Sequence, residues 1–342
     1  MRKSIHLMLV LCLLLVSSVS VVFAKKKPVE IVYYAARSQE QWEPVYQAFR
    51  KEYPNIEVKL FRAGIEELFS ILELEMMTGQ VRADVIHLPD PIRTEMFKEE
   101  GWLEKFTIPE KDLAMFIDDS YMDPEGYWVG LLWSGIALQY NKNFFTEDKL
   151  PSSWADLLNE RYRGQLAMGD PQVTGMVHIF MRYIIHDLYE KYGEPYGWNY
   201  FEKLTKLVEP RLFSGHTQIQ SLVAVGEMPL AIQTLSRCYK SVQDGEPTGY
   251  IYPKEGTPIQ FDAVGIAKGT KNFEAAQTFV RWMVTRNGQI AHTKAGTPPI
   301  RRDVPLDLPY GEAVADLNLV PMKVLPEDKA DQADGLWKLM RK

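Results

Sequence analysis

The sequence predicts an α/β fold divided into two packed lobes, and three observations carry the prediction. The chain has 342 residues, 46% of them apolar, which is more than a single hydrophobic core normally organises. Strand-like and helix-like stretches alternate from residue 29 to residue 88, the pattern of a parallel sheet covered on both faces. Past a Pro/Gly-bearing stretch at 123–130, a strand-like run over 131–141 leads through Asn141-Lys142-Asn143 into a new composition. Lobe 1 is therefore expected over 28–136 and 266–342, and lobe 2 over 137–265.

Composition narrows the class. Charged residues make up 25% and aromatics 12%, values that exclude a disordered or fibrous chain. Lys and Arg number 39 against 45 Asp and Glu, so the net charge of -6 gives no basic field for nucleic acid. Arg2 and Lys3 precede an apolar run over 5–16, a Ser17-Ser18 step and the small-residue site Val22-Phe23-Ala24. That order is a secretory signal, with cleavage expected after Ala24 and a soluble protein released to the periplasm. Serines interrupt the run before Lys25, which argues against a membrane anchor. Removing the cations Arg2 and Lys3 takes the net charge from -6 to -8. Cys12 leaves with the signal, and Leu11 before it lacks the small side chain of lipoprotein processing. Cys238 is then the one remaining cysteine, so no internal disulfide forms and the core must suffice.

The first strand is Val29-Glu30-Ile31-Val32-Tyr33-Tyr34, β-branched and aromatic. Ser38 and Gln41 have capping-box spacing, and Trp42, Val45, Tyr46, Phe49 and Tyr53 fall on one face of the helix that follows until Pro54-Asn55 stops it. A second strand over 56–61 gives way at Arg62-Ala63-Gly64 to a second helix, with Ile65, Leu68, Phe69, Leu72 and Met76 as its stripe. Residues 83–88 form the third strand. In the second half, Ser153 with Asp156 caps a short helix, and 165–168 is a strand. Asp170 to Gly175 opens a long helix reaching about Tyr192. A strand over 228–233 exits into a loop at 234–237, 249–252 is another strand, 261–267 crosses back to the first lobe, and Ala275, Ala276, Phe279, Val280 and Met283 mark a late helix. No repeat of 20–50 residues is present.

Parallel sheets bind ligands beyond the carboxyl ends of their strands, where helix N-termini aim unpaired N–H groups into a crevice. Three first-lobe loops qualify, and none carries a dinucleotide or triphosphate glycine motif, so a smaller ligand is expected and no cofactor. Arg37, with Ser38 and Gln39, is the first candidate for an anionic group, because a guanidinium forks onto carboxylate or phosphate; the alternative is an exposed arginine paired with Glu40 or Glu43. Arg62 with Gly64 repeats the chemistry on the second loop, and Asp90 ends the third strand, where Asp-Pro is also an ordinary turn. Trp133 and Ser134 lie near the first crossover, where a ring can stack on a ligand or belong to the core. Asp170, Thr174 and Gly175 sit at a helix start in the second lobe, and Thr234, Ser236 and Arg237 at a strand exit. The six histidines show no metal-ligand spacing, no nucleophile elbow occurs, and Cys238 reads as a buried thiol. Neither metal nor catalysis is expected.

The ordered set Tyr33-Tyr34, Gly101-Trp102, Tyr140-Asn141, Pro151-Ser152-Ser153-Trp154-Ala155-Asp156-Leu157-Leu158, residues 164–175, Tyr252-Pro253-Lys254-Glu255-Gly256-Thr257 and Pro298-Pro299-Ile300-Arg301 resembles the substrate-binding proteins of ABC importers. The resemblance is to the cluster that carries iron(III), thiamine, hexose phosphate or phosphonate, and it covers nearly all of the mature chain. It implies a two-lobe periplasmic-binding-protein fold of type II, with two crossover strands, closing on its ligand about a hinge. It also implies a small-molecule ligand, an ABC permease as partner, a monomer and no enzymatic activity. The iron(III) members are similar in using a histidine in the first loop and adjacent tyrosines after the 228–233 strand; here those segments read Ala36-Arg37-Ser38 and Gln233-Thr234-Leu235-Ser236-Arg237. The expected ligand is a phosphorylated or phosphonate organic anion. Thiamine or iron(III) is the alternative within the class, and a secreted hydrolase or lyase the alternative outside it.

Overall fold

The structure, a computed structural model, describes residues 27–89, 91–171, 174–208, 210–295, 297–305 and 316–321. The signal segment and Asp90 lie outside the described residues. β1 (Val29–Ala35) runs parallel to β2 (Ile56–Arg62) along its whole length, Val29 opposite Ile56 and Ala35 opposite Arg62. β3 (Val85–Leu88) pairs with the other edge of β1, also parallel. α1 (Gln39–Glu52) and α2 (Ile65–Thr78) make the two crossovers, so the alternation read from the sequence is the first half-sheet.

The capping box forms as the spacing predicts. Ser38 Oγ accepts from the Gln41 N–H, and the Gln41 side chain accepts from the Ser38 N–H. Trp42, Val45 and Phe49 are buried below it, where Trp42 and Phe49 meet the edge of Phe279 on α7 (Phe273–Met283). Ser38→Ala removes the acceptor of an orphan helix N–H; it is expected to lower stability by about 1 kcal/mol, read as a shifted urea midpoint with unchanged slope.

Two long strands join the halves. β5 (Trp128–Asn141) pairs antiparallel with β10 (Thr257–Ala267) over Trp128 to Gly135. From Ile136 onward it changes partner to β8 (Leu230–Thr234) and β9 (Thr248–Ile251). β8 is parallel to β6 (Leu166–Gly169), and β6 to β7 (Arg211–Phe213). The strand order is β2-β1-β3-β10-β5-β8-β6-β7. Two main cores follow. Tyr33, Phe49, Leu72, Phe97 and Trp282 belong to one, and Trp154, Tyr162, Phe180, Tyr200 and Ile232 to the other.

Several elements differ from the sequence reading. The long helix reaches Tyr192 as expected, but as α4 (Gly175–Arg182) and a last turn over Tyr189–Tyr192 joined by a π-type turn over Tyr183–Leu188. There the Ile184 carbonyl accepts from the N–H of Gly197 outside the helix, and the Tyr183 hydroxyl donates to the Glu255 carbonyl. The segment 234–237, read as a loop, is instead the start of α6 (Leu235–Gln243), with Arg237 in its first turn. α8 (Arg286–Lys294) has no apolar stripe to announce it. It is held by the Thr285 cap and by Gln289, whose amide donates to the carbonyls of Leu131 and Met283 and whose oxygen accepts from the Ile300 N–H.

Candidate functional site

The carboxyl ends of β1 and β3 open onto a cavity of about 180 Å³. Ala36 and Arg37 enter it from the loop after β1, Gln41 from α1, His87 and Pro89 from the end of β3, Leu132 to Ser134 from β5 and Asp262 from β10. Thr297 and Pro298 close one side, and Ser236 on α6 reaches it from the opposite half of the sheet. Its volume is that of about six waters, suited to a small solute.

Arg37 is 6% exposed, and its Nε and Nη2 are buried with no hydrogen-bond partner. It makes no ion pair among the described residues; Glu43, its expected partner on the alternative reading, instead accepts from Gln39 and Gln47. Around it stand neutral groups. His87 is fully buried on β3, and burial, with the Arg37 charge adding to it, keeps its imidazole below the ordinary histidine range, opposed in part by Asp262. His292 on α8 is held well below that range by burial first, then by Arg37 and His87. Tyr33 lies parallel to His87 at 6.1 Å, and burial raises its hydroxyl pKa. A desolvated guanidinium among neutral neighbours attracts an incoming anion more strongly than one in water.

Asp262 is the second charge. The register of β5 against β10 slips between Asp262 and Ala263, where Leu131 is the extra residue on β5. Bulges of this kind re-aim side chains next to sites, and the unpaired Leu131 carbonyl is taken up by Gln289. The Asp262 side chain is 18% exposed, with Oδ2 3.2 Å from His87 Nε2. That approach is close but poorly aligned, since both His87 nitrogens lack a hydrogen-bond partner by direction.

The expected site residues divide between cavity and elsewhere. Arg37, Trp133 and Ser134 line the cavity. Trp133 forms wall without a stacking face: it is 0% exposed, and its indole N–H donates to the Pro299 carbonyl at 2.9 Å. Ser38 is committed to the cap beside the cavity, and Gln39 turns outward to Glu43. Arg62 ends the edge strand, one strand removed from the β1–β3 crevice, and Gly64 is exposed at the start of α2. In the second half, Thr174 turns inward, its hydroxyl donating to the Asp170 carbonyl and packing where Gly169 leaves no room for a Cβ. Asp170 is tied by its N–H to the Phe213 carbonyl, and Gly175 begins α4. The Thr234 N–H donates to its neighbour Gln233, and the Arg237 charge bears on His216, helping burial to lower that imidazole's pKa. None of these second-half residues lines the cavity. The reading missed His87, Asp262, Gln41 and Thr297. His87 and Asp262 did carry a signal, an ionisable residue inside an otherwise apolar strand.

Residues 84–319 match the profile of the bacterial extracellular solute-binding proteins. The chain belongs to that family. It is 23% identical over 311 residues to the putrescine/cadaverine-binding protein of Pseudomonas aeruginosa, covering 82% of this chain and 84% of that one. Iron-bound HitA from Pseudomonas aeruginosa is similar in fold, with a TM-score of 0.73 and 21% identity over 92% of this chain and 99% of that chain. AfuA from Actinobacillus pleuropneumoniae, solved with fructose-6-phosphate, matches with a TM-score of 0.67 and 21% identity, over 91% of this chain and 97% of that chain. The fold is the two-lobe type II fold of periplasmic binding proteins, with β5 and β10 as the crossover strands. A solute-binding protein of this family works outside the cytoplasm, carries a small molecule to an ABC permease and performs no chemistry on it.

Proposed function

We propose that this member captures a small anionic organic solute, phosphorylated or phosphonate, by the Arg37 guanidinium. The protein is released by cleavage after Ala24 and acts as a monomer that binds no nucleic acid. Its lobes, 28–136 with 266–342 against 137–265, close over the bound solute. The observation that carries the reading is a buried cation that lines the cavity and has no carboxylate partner among the described residues. Such a charge is expensive to maintain unless a ligand compensates it. A solute touching Arg37 on one side and Ser236 on the other favours the closed form by the contacts made only there.

The relatives named for iron and for polyamines offer other ligands. Iron has little support in the donor set, because no tyrosine lines the cavity and no cluster of three metal-ligating His, Cys, Asp or Glu occurs among the described residues. A polyamine would find Asp262 but also the Arg37 cation, which repels it. The discriminating experiment is a thermal-shift screen of residues 25–342 with alkylphosphonates, aminoalkylphosphonates, sugar phosphates, thiamine, putrescine and ferric citrate. A raised melting temperature is expected with phosphorylated or phosphonate compounds. A shift with putrescine, thiamine or ferric citrate alone would overturn the reading.

A further inference from the structure

The cavity holds two opposite charges that do not neutralise each other. Arg37 and Asp262 both line it, yet they form no ion pair with each other, and among the described residues the ionisable group close to the Asp262 carboxylate is His87. The two histidines nearest the guanidinium are fully buried and neutral, so neither supplies charge to either group. A simple anion satisfies Arg37 and leaves a carboxylate in the same small space, where it repels the ligand and loses water as the site closes. A simple cation makes the mirror-image mistake. The partner that complements both walls carries one charge of each sign.

We propose that the bound solute is amphoteric, an anionic group met by Arg37 joined on one small molecule to an ammonium met by Asp262. This deepens the anion reading and rests on it. Asp262 then sets specificity, admitting amino-substituted anions and disfavouring bare ones, as a repulsive element does in a selective site. Asp262 lies at the register slip between β5 and β10, where the displaced Leu131 carbonyl is bonded to Gln289, a backbone feature of the kind that re-aims neighbouring side chains.

The test is isothermal titration of residues 25–342 with aminomethyl-, 2-aminoethyl- and 3-aminopropylphosphonate, each beside its deamino analogue and 2-hydroxyethylphosphonate. The wild type is expected to bind at least one amino compound roughly tenfold or more tightly than its analogue. Asp262→Asn is expected to erase that preference while retaining or strengthening binding of the deamino compound, which also shows that the variant is folded. Equal binding of amino and deamino compounds by the wild type, or a preference that survives Asp262→Asn, overturns this proposal alone. A hydroxyl compound matching the amine overturns the ammonium assignment. Failure of every phosphonate to bind overturns this proposal, and failure of the sugar phosphates as well in the thermal-shift screen overturns the anion reading with it.

Discussion

Replacing Arg37 by methionine is expected to stabilise the unliganded protein while weakening its hold on the anionic solute about 100-fold. The two effects have one cause. In the free protein the guanidinium is 6% exposed, with two nitrogens lacking any partner, and a buried polar group left unsatisfied costs about 1–3 kcal/mol. Methionine keeps most of the volume and removes that cost, so thermal unfolding of the free variant moves to higher temperature. In the proposed complex the same nitrogens would meet the solute's anion through two charge-assisted hydrogen bonds at about 1.5 kcal/mol or more each, together a factor of roughly 100 or greater. A purely structural arginine behaves oppositely, its loss lowering stability and leaving affinity intact. Calorimetric titration and a melting curve on one preparation read both quantities. An affinity unchanged within a factor of two would remove Arg37 from the site.

How much of this was legible in the chain depends on the range of the interaction that fixed each part. The first half-sheet was readable because its signals are local: the apolar stripe of α1 sits within one helix, and the Ser38–Gln41 box spans three residues. β7 and α8 were not, since β7 has three residues and α8 is polar, held by Gln289 reaching Leu131 across 158 positions. The site divides the same way. Arg37 follows a strand and precedes a helix, a position whose exposure to a crevice follows from parallel-sheet geometry. Asp262 enters because two strands distant in sequence pair with a one-residue slip, and no local pattern encodes a register. Of the second-half candidates, Asp170, Thr174 and Gly175 were chosen as a helix start and Thr234, Ser236 and Arg237 as a strand exit, and of these six Ser236 lines the cavity. At Thr174 the hydroxyl satisfies the preceding turn instead, a common fate of threonine before a helix.

Mild acid is expected to destabilise the protein well before its carboxylates titrate. Burial lowers the pKa of His87, His216 and His292, for His292 well below the usual value. In the unfolded chain these groups take up protons as the pH falls through about 6.5. The folded chain resists, because a charged imidazole in place of His87 or His292 is desolvated and faces Arg37. The unfolded state therefore binds more protons, so stability rises with pH across this window and is lost as the pH drops below about 6.5, until the folded values are reached. Each histidine that stays neutral contributes a slope of about 1.4 kcal/mol per pH unit. Below about pH 6.5, His87 and His292 each approach that slope for as long as they stay neutral in the folded protein, a loss that counts against a typical domain's stability of about 5–15 kcal/mol. Carboxylates act lower on the scale with a shift of the same sign: the Arg301 guanidinium holds Asp303 below its ordinary range, so its contribution persists until the pH falls further. Urea unfolding at pH 7, 6 and 5 measures the slope. His292→Gln, which keeps a polar side chain of similar size, is expected to flatten it by about one proton, and a stability that does not change between pH 7 and 5 would show that these imidazoles are protonated within the folded protein.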